Sequence, residues 1–124
     1  MSQHILIADD EPNIVVSLEY LMKREGYTVS VARDGEEALA AIRRERPALV
    51  LLDVMMPKKS GFEVCQEVRA DELLRRTLIL MLTAKGRETD VARGLGSGAD
   101  AYTTKPFSTR ELVQKVRQML EART

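Results

Sequence analysis

The sequence predicts an α/β fold: a doubly wound parallel sheet of five strands with helices on both faces. Three observations predict it. Short apolar runs alternate with longer segments whose apolar residues recur at helical spacing, a pattern that means βαβ units around a parallel sheet. Three of the runs, HILIA (4–8), ALVLL (48–52) and LILML (78–82), are almost wholly apolar, as strands buried on both faces are. The other two, at 28–32 and 100–104, mix polar with apolar residues, as edge strands do.

Each element has a local reason. HILIA is followed by PNIVVSLEYLMKREG, where Pro12 suits a first helical position, Val15, Leu18 and Met22 share a face, and Gly26 supplies a stop. YTVSVA gives the second strand. DGEEALAAIRRE begins with Asp34 and Glu37 at capping-box spacing and sets Ala38, Leu39 and Ile42 on one face. After ALVLL, Ser60 and Glu63 form another cap pair ahead of a third helix that carries Cys65 on the same face as Phe62 and Val68. LILML is followed by a weak fourth helix at about 87–95, because the stretch GRETDVARGLGSGAD holds four glycines and glycine costs about 1 kcal/mol per helical position. ADAYTT is the last strand. STRELVQKVRQMLEA closes the chain, with Ser108 and Glu111 as its cap pair and an apolar stripe from Leu112 to Leu120. Three apolar strands in the middle and two polar ones outside fit the flavodoxin-like order 2-1-3-4-5, which has a switch point between strands 1 and 3.

Size and charge narrow the function. The chain has 124 residues, enough for one domain, expected to span 1–124. Its 19 basic and 19 acidic residues cancel, so no bulk charge draws it to nucleic acid or an anionic membrane. No residues are left over for a helix-turn-helix, so no direct nucleic-acid contact is expected. No apolar run approaches the roughly 18 residues of a membrane span. The single cysteine excludes an internal disulfide, and the N-terminus lacks a basic n-region, so the expected setting is cytoplasmic.

In such sheets ligands bind beyond the carboxyl ends of the strands. Strand 1 ends in Asp9-Asp10-Glu11, strand 3 in Asp53, strand 4 in Thr83-Ala84 and strand 5 in Lys105-Pro106. Carboxylates gathered there repel one another by roughly 4 kcal/mol per pair at 4 Å and an effective dielectric near 20. A hard dication relieves that. Magnesium takes one or two carboxylates and completes its octahedron with water and phosphate oxygen. Asp10 and Asp53 suit that role, with Asp9 beside them and the Met55 backbone carbonyl as a further ligand. An aspartate so held, opposite a lysine and a hydroxyl, is arranged for phosphoryl transfer, with Asp53 as nucleophile and Lys105 and Thr83 on the phosphoryl oxygens.

The pieces ILIADDEP, LVLLDVMMPKKSGFE, LMLTA and GADAYTTKPFSTREL together resemble the receiver domain of two-component response regulators, over nearly the whole chain. The resemblance implies Asp53 as phosphoacceptor, Asp9 and Asp10 as the acidic pair around Mg2+, and Met55 as the carbonyl ligand. It implies Thr83 as switch hydroxyl, Tyr102 as switch aromatic, Lys105 as phosphate-binding lysine, and a cis Lys105–Pro106 bond. The implied partners are a sensor histidine kinase or histidine phosphotransfer protein, a downstream effector or output domain, and a second copy on phosphorylation. Such a domain is a regulatory phosphoacceptor, not an enzyme in the usual sense, though it assists its own phosphorylation and dephosphorylation. Phosphorylation would draw Thr83 toward the phosphoryl group, turn Tyr102 inward and alter the surface of the fourth helix, fifth strand and last helix.

Two departures stand out. Met55 offers no polar side chain where relatives often do, which bears on the phosphoryl lifetime. ADAY replaces the ADDY of relatives that pair through this surface, so Ala101 removes one acidic partner and leaves Asp100, Glu111 and Lys115. The alternative function is an unphosphorylated pseudo-receiver that works as an interaction module. A flavin binder of the same topology is disfavoured by the acidic ADDEPN loop and the lack of tryptophan. An aspartate-nucleophile phosphatase would want D-x-D on strand 1.

Overall fold

Alternation along the strands sets the layers. The structure, a computed structural model, describes residues 3–84 and 96–123. Among these residues the elements are β1 (His4–Ala8), α1 (Pro12–Arg24), β2 (Thr28–Ala32), α2 (Gly35–Glu45), β3 (Leu49–Asp53), α3 (Gly61–Ala70), β4 (Leu78–Ala84), β5 (Ala101–Lys105) and the C-terminal helix α4 (Thr109–Arg123). The five strands are all parallel, in the order β2-β1-β3-β4-β5. This is the expected flavodoxin-like order. The weak helix expected near 87–95 lies outside the described residues. No described helix is long and apolar enough to cross a membrane.

Successive strand residues point to opposite faces, so each buried strand feeds two cores. Leu6, Val50, Leu52, Ile79 and Met81 pack under α2 and α3, against Leu39, Ile42, Phe62 and Val68. Ile5, Ile7, Leu49, Leu51, Leu80 and Leu82 pack under α1 and α4, against Leu18, Met22, Leu112 and Val116. Each fully buried aliphatic side chain contributes about 1.5–3 kcal/mol of transfer free energy, and this two-sided burial holds the central strands. As expected, β2 and β5 are more exposed.

The helix starts follow their caps. Pro12 opens α1, and Gly26, at φ 92°, turns the chain after it. Ser60 and Glu63 make both bonds of a capping box at α3. Asp34 makes one of the two: its carboxylate accepts from the Glu37 N–H at 2.8 Å. The Ser108 hydroxyl accepts from the Glu111 N–H at 3.3 Å.

Register positions the site. Ala8 pairs with Leu52, Asp53 with Leu82, and Ala84 with Lys105. β1 and β3 therefore end within one residue of each other, while β4 and β5 end together two residues further on, and the chain reverses its direction of travel between β1 and β3. Two strand ends differ from expectation. β4 runs two residues past LILML because Thr83 and Ala84 pair with Thr104 and Lys105, and β5 is shifted one residue later for the same reason.

Candidate functional site

Asp9 leaves β1 wholly buried. A buried carboxylate needs donors, and it has two. Its Oδ1 accepts from the Glu11 N–H at 2.9 Å, and its Oδ2 from Lys105 Nζ at 2.9 Å. Asp10, next in the chain, is exposed. Asp53 ends β3 at 5% exposure. Its Oδ1 accepts from the Met55 N–H at 3.4 Å and lies 3.5 Å from Lys105 Nζ. One carboxylate oxygen each from Asp9, Asp10 and Asp53 lies within 4.8 Å of the others. Lys105, from the end of β5, also reaches Glu11 Oε1 at 3.3 Å. The Lys105–Pro106 bond is cis, as expected.

Burial and crowding show in the titration of these groups. Removal from water, followed by the charge of Asp9, pushes the Asp53 carboxyl up from 3.8 to about 6, against the pull of Lys105 and the Met55 N–H. At neutral pH it is still mostly ionised. For Lys105, burial acts downward, but the bond to Asp9 and the charges of Asp53 and Asp9 outweigh it and raise its pKa.

Among the described residues, Lys105 pairs with Asp9, Glu11 and Asp53, and Asp10 joins Asp9 and Asp53 in the acidic cluster. The set is all oxygen, partly exposed and negative, which fits a hard divalent cation. The Thr83 hydroxyl, at the end of β4, is buried with no hydrogen-bond partner among the described residues. Orphaned buried hydroxyls are uncommon and call for an explanation. An oxygen-rich ligand over the strand ends would supply its partner.

The model of the response regulator receiver domain family matches residues 5–117. The chain belongs to that family. It is 50% identical over 120 residues to the alkaline phosphatase synthesis transcriptional regulatory protein PhoP of Bacillus subtilis (strain 168). That match covers 97% of this chain and 49% of PhoP, so the chain spans about half the length of that curated relative. A crystal structure from Chloroflexus aurantiacus J-10-fl superposes with a TM-score of 0.94 at 36% identity, covering 98% of this chain and 99% of that one. The receiver domain of sensor histidine kinase PA1611 from Pseudomonas aeruginosa PAO1, solved with a magnesium ion coordinated in its active-site cleft, gives 0.90 at 30% identity, covering 98% and 99%.

In this receiver domain, Asp9, Asp10, Asp53, Thr83 and Lys105 all stand at the strand-end crevice, and Met55 adjoins it with its side chain exposed. Tyr102 does not join them. The residue is 38% exposed, Lys115 Nζ sits 5.6 Å from the centre of its ring, and Lys115 donates to its carbonyl at 2.9 Å. Asp100 is also engaged within the chain. Its Oδ2 accepts from Arg69 Nη2 at 2.7 Å and from the Ile79 N–H at 2.8 Å. Of the three charges left for pairing on this surface, Asp100 and Lys115 thus hold internal partners. The bond from Glu11 to Lys105 was not assigned from sequence. The only signal for it was a third acidic residue in ADDEP.

Proposed function

We propose that this receiver domain is a phosphoacceptor switch that takes a phosphoryl group onto Asp53 from the phosphohistidine of a sensor histidine kinase or histidine phosphotransfer protein. One observation carries the reading. A buried aspartate shares a crevice with two more aspartates and a lysine, and the neighbouring strand ends in a buried threonine whose hydroxyl has no hydrogen-bond partner among the described residues. Asp53 Oδ1 is taken up by Met55 and Lys105, which leaves Oδ2 to attack phosphorus. The O–P bond forms as the P–N bond to the donor imidazole breaks, and the imidazole leaves with the bonding pair.

Asp10, Asp53 and the Met55 carbonyl would hold Mg2+, with Asp9 beside them or bound through water. Bound there, the ion supplies charge neutralisation for the transferring group. Lys105 gives a second positive charge, and the Thr83 hydroxyl a donor that has no other partner. Two or three new charge-assisted bonds at about 1.5–3 kcal/mol each reach the roughly 5.5 kcal/mol that moves a two-state equilibrium from 1:99 to 99:1. Thr83 would then move toward the phosphoryl group, and Tyr102 would leave Lys115 and turn inward. The readout surface is β5 with α4 and the segment before β5, offered to an output domain, effector or second copy.

The relative PhoP is a transcriptional regulator. We assign DNA contact in proteins of that length to the half this chain does not span, since the zero net charge here gives no footprint for it. A cytoplasmic setting belongs to the same reading. The lone Cys65 is free and buried, and burial pushes its thiol up to about 11.

The test is incubation with Mg2+ and acetyl phosphate, read by intact mass. One phosphoryl group should add to the wild type, none to Asp53→Asn, and none with a chelator present. A wild type that stays unlabelled while binding Mg2+ would instead favour an interaction module that is never phosphorylated.

A further inference from the structure

We propose that Gly35 is a positioning residue for the phosphoacceptor site, acting through the turn that follows β3. The proposal rests on the reading of the site just given. Gly35 is the first residue of α2 and is not a member of the carboxylate cluster. Its backbone does not need glycine, for it is not among the residues with positive φ. Space is what demands it. A Cβ at Gly35 would lie 2.1 Å from the Lys59 carbonyl oxygen and 2.4 Å from Lys59 Cβ, where ordinary contact begins at 3.4 Å. The obstacle is backbone, so the turn would have to retreat by about 1.3 Å.

The turn is seated on α2 by polar contacts as well. The Gly35 N–H donates to the Pro57 carbonyl at 3.2 Å, and the Lys59 N–H donates to the same oxygen at 2.8 Å. Asp34, the cap of α2, lies 3.7 Å from Lys58 Nζ. Pro57 stands two residues from Met55, whose N–H donates to the Asp53 carboxylate. At its far end the same loop is held by α3. The Gly61 N–H donates to the Val54 carbonyl at 2.9 Å, and a Cβ there would come 2.5 Å from the Asp53 carbonyl oxygen.

The segment that carries Met55 is therefore clamped between two helix starts. One belongs to the helix that follows it. The other belongs to α2, from a different part of the chain. Magnesium tolerates little departure from octahedral geometry at 2.0–2.1 Å. Displacing the 57–59 turn displaces the Met55 carbonyl and N–H, and with them the cation site. Loss of such outer-shell support weakens metal affinity by about tenfold or more.

The test is magnesium calorimetry on the whole chain, comparing wild type, Gly35→Ala and Ala41→Gly. Ala41 is buried near the middle of the same helix, six residues on from Gly35, so its variant loosens α2 while leaving the Gly35 contact with the turn in place. Gly35→Ala should raise the magnesium Kd by about tenfold, with Ala41→Gly at the wild-type value. Equal Kd in wild type and Gly35→Ala overturns the proposal, as does an equal rise in Ala41→Gly. A wild type that binds no magnesium overturns the site reading and this proposal together.

A second measurement needs no variant. In wild-type amide NMR spectra, the Gly35 cross-peak should move during magnesium titration with the midpoint of Met55 and Lys59. Gly26, with nothing near its Cβ position, should stay in place. A stationary Gly35 peak overturns the proposal even if Gly35→Ala fails to fold.

Discussion

Replacing Asp53 with asparagine should stabilise the metal-free protein. The carboxyl titrates near 3.8 in the open chain and at about 6 in the fold, because burial and then Asp9 disfavour its charged form. A folded pKa above the unfolded one favours folding only while the group is protonated. Below the unfolded value the wild type has no penalty. As pH rises through the folded value the penalty becomes complete, at about 3 kcal/mol. The window is thus from 3.8 to about 6. At pH 5 about half the penalty is present. Asparagine keeps the shape and a carbonyl for the Met55 N–H and carries no charge. Lys105 keeps Asp9 and Glu11. With partial relaxation, the expected gain at pH 7.5 is about 1–3 kcal/mol, or roughly 4–12 °C in Tm for a domain of this size. The assay is thermal unfolding with a chelator, at pH 7.5 and 5.0. The gain should shrink by about half at the lower pH. A variant less stable than wild type at pH 7.5, or a gain that does not change with pH, would refute the electrostatic reasoning.

Thr83→Val should raise metal-free stability by about 1 kcal/mol, since it removes a buried hydroxyl with no partner among the described residues. The wild type should then gain more than the variant on phosphorylation, as thermal melts with and without acetyl phosphate will show. Lys105→Met leaves the fully buried Asp9 without its cation and should cost about 3–5 kcal/mol in urea unfolding without metal, with part of it recovered on adding Mg2+. Arg69→Ala removes bonds to the carbonyls of Gly98, Arg75 and Thr77 and to the Asp100 carboxylate. It should cost about 2 kcal/mol and speed amide exchange at residues 98–100, with acetyl phosphate labelling of Asp53 unchanged.

Much of this was legible in the sequence because it depends on local pattern. Apolar runs of strand length mark β1, β3 and β4, and their polarity ranks them inside β2 and β5. Strand order then brings Asp9, Asp10, Asp53, Thr83 and Lys105 together, since only what stands at a strand end matters. What the pattern could not fix is which side chain chooses which partner across distant elements. Lys105 sits closer to Asp9 than to Asp53, because the wholly buried carboxylate has more to gain from a cation. His4 shows the same limit. It reads as a plain strand start, yet its Nε2 lies 2.8 Å from both Glu45 Oε1 and Ser30 Oγ, and Glu45 is held below its usual pKa chiefly by the Ser30 hydroxyl. Cap spacing offers an opportunity and not a bond: Ser60 and Glu63 complete both contacts, and Asp34 with Glu37 completes one. The seat of the 57–59 turn on Gly35 is invisible in DGEEAL, because it is set by packing between α2 and the loop.

We hold that the three converging aspartates, with Lys105, make Asp53 the residue that accepts phosphate. Borohydride reduction after Mg2+ and acetyl phosphate treatment, followed by peptide mass mapping, tests it most directly. Homoserine is expected at position 53 alone, dependent on Mg2+ and lost in Asp10→Asn. Reduction at another aspartate, or the same yield at position 53 without a divalent ion, would contradict it.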